Sequence, residues 1–164
     1  MRKLILVAAA AVSLSACASN SNTVVLENSR VAYEAQNVEL VYDEENATVD
    51  VEEGKLAKLD EYLRSAFVER GFTPGEDGLT VRYGFVGYDE GSQAMRYLAG
   101  GLAGGAKMVI VAEYFDAEGN SLAKIHAEGT VAGGFFGGDS DSAIKGAAKK
   151  IATFAEDNFS DDGE

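Results

Sequence analysis

Very few side chains in this sequence could do chemistry by themselves. There is one cysteine, Cys17, and one histidine, His126. A zinc centre needs several His, Cys or carboxylate ligands at set spacings. His126 stands between Lys124 and Glu128 with no such set around it, so it is expected on the surface and no metal is expected. A serine nucleophile needs a positioned base; His126 is the only conventional one, and no G-x-S-x-G turn is present. Gly100 to Gly105 has the first spacing of a phosphate-binding loop, but Ala106-Lys107-Met108 follows. The lysine is displaced and no hydroxyl is there to hold Mg²⁺. The expectation is therefore no enzyme, no cofactor and no nucleotide.

What remains is a pair of glycine-rich segments carrying aromatic and apolar side chains. Phe135 and Phe136 lie between Gly133-Gly134 and Gly137-Gly138, and Arg96, Tyr97, Leu98 and Leu102 lie in or beside the run Gly100, Gly101, Gly104, Gly105. Aromatic side chains on a pliable loop can anchor a partner by filling its pocket, and these six residues form the candidate contact loop. Folding back onto the domain's own core is the competing expectation. Gly100 with Gly104, and Gly101 with Gly105, also make two interleaved small-xxx-small pairs of the kind that let membrane helices approach. Arg96 and Lys107 leave only Tyr97 to Ala106 uncharged between them, about half of a membrane span.

The amino terminus has a different purpose. Arg2 and Lys3 followed by the apolar Leu4 to Ala11 read as an export signal, too short for a spanning helix. It ends in Leu14-Ser15-Ala16-Cys17, which resembles the lipobox of bacterial lipoproteins. That resemblance implies cleavage before Cys17, a diacylglyceryl thioether on its sulfur and an acylated amino terminus. Ala18 in place of aspartate after the cysteine implies the outer membrane, on its periplasmic face, over the inner membrane. Multiple acyl chains exceed what stable anchoring needs, so the expected partners are a membrane through the lipid anchor and another envelope protein.

At 164 residues, 46% hydrophobic and 25% charged, the chain suits one domain with one core. The expected organisation is a signal peptide over 1–16, lipidated cysteine and tether over 17–29, a globular domain over 30–159 and an acidic tail over 160–164. The formal net charge of −13 falls to −15 once the signal and its two basic residues are gone. Such a charge repels phosphate backbones, so no nucleic-acid partner is expected.

The elements that must position the loops follow from periodicity. Val24 to Leu26 and Val38 to Tyr42 read as short strands. Leu56, Leu59, Leu63, Ala66 and Phe67 recur at helical spacing between Glu52 and Arg70, with Gly71 as the stop and Pro74 beyond it. Leu79 to Tyr88 alternates as a half-buried strand. Met108 to Phe115, apolar on both faces up to Glu113, predicts a covered central strand, and Leu122 to Val131 predicts a strand with one wet face bearing Lys124, His126 and Glu128. Asp116 to Asn120 is the hairpin loop between them. Ile144, Ala147, Ala148, Ile151, Phe154, Ala155 and Phe159 mark a second amphipathic helix with N-cap candidates at Asp139-Ser140-Asp141. The class is α+β, an antiparallel or mixed sheet of about four to five strands with two amphipathic helices packed on it.

The order from Arg96 to Asp141, glycine-rich run, strand, Asp116-Ala117-Glu118-Gly119 turn and Gly133-Gly134-Phe135-Phe136-Gly137-Gly138, resembles a lipoprotein family called domain of unknown function 4410. The likeness extends over roughly residues 55 to 159. It implies fold and envelope location and brings no catalytic residue. A domain that binds a small molecule or glycan, and a glycine-zipper segment touching the membrane, are the alternative readings of the same loops.

Overall fold

The computed structural model describes residues 23–89, 107–130 and 140–160. Their elements are β1 (Thr23–Asn28), β2 (Asn37–Tyr42), α1 (Glu53–Val68), β3 (Thr73–Pro74), β4 (Leu79–Asp89), β5 (Lys107–Phe115), β6 (Ser121–Thr130) and α2 (Ser140–Phe159). The strands form one sheet in the order β1-β6-β5-β4-β2-β3. β4, β5 and β6 run antiparallel, β1 joins β6 antiparallel, and β2 lies parallel to both β4 and β3. The sheet is thus mixed, and the fold α+β with two helices, as the patterning predicts. It has six strands where the sequence suggests four or five. The extra one is Thr73–Pro74, two residues following the stop of α1, too short to leave any alternation to read.

The helices lie on one face. In register, Val81 faces Tyr114 and Ala123 in turn, Tyr83 faces Ala112 and Ile125, and Phe85 faces Ile110 and Ala127; all nine are buried. Against them α1 sets Leu59, Leu63, Ala66 and Phe67, and α2 sets Ile144, Ala147, Ala148, Ile151, Ala155 and Phe159. Burying a large apolar side chain is worth about 1.5–3 kcal/mol, so this single layer carries most of the stability. Tyr62 is part-buried at the edge of the α1 face, under the Lys145 ammonium at 5.8 Å.

Three polar ties fix the helices. The Tyr114 hydroxyl, fully buried, donates to the Ile151 carbonyl at 2.9 Å. Arg70 donates to Ala66 O at 2.9 Å and to Thr153 Oγ1 at 2.7 Å and pairs with Glu156 at 3.1 Å, which locks the end of α1 to α2. Asp60 accepts from Tyr83 at 2.9 Å and from Arg64 at 2.8 Å. Burial pushes the Asp60 carboxyl up, but these donors outweigh it and its pKa ends below the usual value. The Asp116–Asn120 loop forms as predicted: Asp116 accepts from the Asn120 amides at 2.7 and 2.9 Å, and Gly119 takes the left-handed φ of 82°. Gly71 takes φ 86° past the end of α1.

Candidate functional site

The frame for the candidate contact loop is one end of the central sheet. Asp89 closes β4, Lys107 opens β5 and Thr130 closes β6, and the three are cross-strand neighbours: Asp89 pairs with Lys107, and Lys107 with Thr130. The segment that leaves at Asp89 therefore rejoins the sheet beside the residue where the next one departs. Both glycine-rich segments are anchored at the same end, as a single hairpin requires. Arg96, Tyr97, Leu98, Leu102, Phe135 and Phe136 themselves, and Cys17, lie outside the described residues.

That end is held stiffly. Met108 and Gly129 pair across β5 and β6, and Met108 is buried. A Cβ on Gly129 would stand 2.1 Å from the Ala143 carbonyl oxygen and 2.7 Å from its carbon. Only glycine lets the first turns of α2 come this close to β6. The Lys58 ammonium pairs with Asp141 and ties the same turn to α1.

On the sheet face away from the helices, Glu113 accepts from Ser121 at 3.0 Å and from Lys124 at 3.3 Å, and Arg82 lies over the Phe115 ring at 4.9 Å. His126 is part-buried here rather than plainly on the surface. Its burial and the Lys124 charge hold its pKa below the ordinary histidine value, with Glu128 opposing. Among the described residues no group of three or more His, Cys, Asp or Glu could hold a metal ion. The wet face predicted for β6 needs correcting at Glu128, which is only 6% exposed and whose Oε2 has no hydrogen-bond partner among the described residues. Alternation identifies a second face but not whether that face is covered along its whole length.

The sequence did not point to a second surface, at the β1 edge. All six β1 residues are exposed, with Val24, Val25 and Leu26 at 45%, 50% and 46%. Between Thr23 of β1 and α2 runs a groove of about 290 Å³ lined also by Gly146, Lys149, Lys150, Thr153, Phe154 and Asp157. Lys150 is part-buried, its ammonium is shielded from solvent, and among the described residues it has no hydrogen-bond partner. Burial lowers its pKa to about 8, with the Glu128 carboxylate pulling the other way. Helical spacing on α2 marks the core face but not the flank that meets an edge strand from the far end of the chain.

No helix among the described residues is long and apolar enough to cross a membrane. No protein-family model matches the chain, and no curated protein matches it. Solved structures do. A point variant of the PelC dodecamer from Paraburkholderia phytofirmans superposes with a TM-score of 0.50 at 9% identity, covering 86% of this chain and 98% of that one. The PelC dodecamer from the same organism in another crystal form gives 0.48 at 9% identity, covering 79% and 95%. A minor lipoprotein from Acinetobacter baumannii gives 0.42 at 13% identity, covering 76% and 94%. The first of these is a likeness of fold, extending over nearly the whole of the other chain.

Proposed function

We propose that this chain is a lipid-anchored protein of the cell envelope, held through Cys17 on the periplasmic face of the outer membrane, that works by contact and not by catalysis. The observation that supports this best is the register Asp89–Lys107–Thr130, which gathers the ends of both glycine-rich segments at one stiff end of the sheet. Arg96, Tyr97, Leu98, Leu102, Phe135 and Phe136 belong to those segments, and aromatic anchors presented from a rigid frame are what binding hot spots are made of. Membership of the domain of unknown function 4410 family, resting on the motif order from Arg96 to Asp141, is part of the same proposal.

Photo-crosslinking in cells from position 136 tests the contact role. One dominant protein adduct is the expected result. No adduct from a folded protein would refute it; glycan adducts would replace it with a ligand-binding domain, and lipid adducts with a membrane-touching loop. Incorporation of labelled palmitate that vanishes with Cys17→Ser, and sedimentation with the outer membrane, test the anchor. Turnover of any substrate that disappears with His126→Ala would overturn the non-catalytic reading.

A further inference from the structure

The two edges of the sheet are finished differently. At one, β3 is two residues long and ends in Pro74, which has no N–H to offer, so an arriving strand finds little to pair with. At the other, β1 is six residues long and, among the described residues, its outer side pairs with nothing. Folded sheets usually protect such an edge with charge, proline or a bulge. β1 has one bulge, between Val25 and Glu27, and one charge, Glu27. Both lie in its second half, the bulge at Leu26, which leaves Thr23 to Val25 open.

The groove lies beside that open half. Thr23 and Val25 pair with Ala127 and Ile125, which are in the core, so their side chains lie on the helix side of the sheet, and Thr23 lines the groove with α2. A strand laid along β1 would turn every second side chain toward this side, over the groove. Phe154 offers it an apolar surface, and a Cβ at Gly146 would meet nothing within 4 Å, so there is room. Lys149 and Lys150 make this lining basic in a chain of net charge −13, with Asp157 about three turns along α2 from Gly146. Among the described residues the Lys150 ammonium has no acceptor, and an unpaired ammonium out of solvent is costly.

We propose that the open half of β1 and the adjoining groove take up an extended peptide segment of a partner protein by strand addition, its apolar and carboxylate side chains alternating toward the helix side. Main-chain hydrogen bonds to Thr23–Val25 supply affinity, and the groove supplies selectivity. An apolar side chain lies against Phe154, and a carboxylate supplies the Lys150 ammonium with an acceptor, beside the Lys149 charge. The lowered pKa of Lys150 agrees with a site completed by an anion. Thr23 pairs with Ala127, three residues before Thr130, so this edge adjoins the end that anchors the glycine-rich segments; substitutions at Lys149 and Lys150 test it while leaving the sequence of those segments unchanged.

The detergent-solubilised full chain, panned against a phage-displayed random dodecapeptide library, tests it. Enriched peptides are expected to alternate apolar residues with Asp or Glu and to slow amide exchange in residues 23–25. The double variant Lys149→Glu/Lys150→Glu, with its fold checked by thermal unfolding, should weaken them by roughly ten-fold or more, and peptides with Lys in place of Glu should recover part of the loss. No enrichment, binders indifferent to the double variant, or protection confined elsewhere would overturn the proposal. So would self-association abolished by Val24→Lys, which would give the edge to a second copy.

Discussion

Two glycine-to-alanine substitutions should move stability in opposite directions. At position 129 a new Cβ would meet the Ala143 carbonyl oxygen at 2.1 Å, its carbon at 2.7 Å and its Cα at 3.1 Å. All three are backbone atoms, so no rotamer change can clear them. The start of α2 must retreat by about 1 Å to restore ordinary contact, and that loosens Ala143 and Ile144, both buried, from the sheet. Overpacking of this kind costs about 1–3 kcal/mol, and a backbone clash belongs at the upper end. For a domain of this size about 3 kcal/mol corresponds to a fall in Tm of roughly 10 °C. At position 146 the same methyl group meets nothing within 4 Å and sits inside α2. Alanine is favoured over glycine in a helix interior by about 1 kcal/mol, so Tm should rise by roughly 3 °C. Urea unfolding followed by circular dichroism measures both. A Gly129→Ala protein within about 0.5 kcal/mol of the parent, or one stabilised like Gly146→Ala, would refute the close approach of α2 to β6.

Removing the Tyr114 hydroxyl with Tyr114→Phe leaves the Ile151 carbonyl without its buried donor and should cost about 1–2 kcal/mol in the same unfolding assay. Lys150 has its folded pKa lowered from 10.5 to about 8. The unfolded chain therefore holds more protons between those values, and stability should rise as pH climbs through that window. Lys150→Met should remove the rise and stabilise the protein at neutral pH, which Tm measured from pH 7 to 10.5 would show. Asp60 has the opposite sign: its folded pKa lies below the ordinary 3.8, so its contribution is present above that value and lost as pH falls through the folded one. Asp60→Asn should flatten the acid limb of the stability curve and lower stability at neutral pH.

The parts of this fold legible in the sequence are those fixed by neighbours. Leu59, Leu63, Ala66 and Phe67 reveal α1 through their spacing, Val81, Tyr83 and Phe85 reveal β4, and Asp116 with Gly119 and Asn120 writes the turn in local hydrogen bonds. Because that turn fixes the β5–β6 register, the meeting of Lys107 and Thr130 could be anticipated from the same residues, whereas the pairing of Asp89 with Lys107 could not. Distant pairings left no such mark. Which strand takes the open edge depends on β1 finding β6, about a hundred residues away, and the groove exists only because α2 flanks that pair. Glu128 and Lys150 are ordinary surface residue types whose burial comes from tertiary placement alone.

That distant pairing also sets an order of events. β4, β5 and β6 are neighbours both in the chain and in the sheet, so they can assemble through short closures, whereas β1 must wait for a loop about a hundred residues long to close. An export machine that delivers the amino terminus first would release the apolar run Val24-Val25-Leu26 before its partner strand exists. The earliest segment to emerge would be the last to be placed. Exposed along its length and, among the described residues, paired on one side only, it should also be the first to open under native conditions, with amide exchange well ahead of the hairpin it borders.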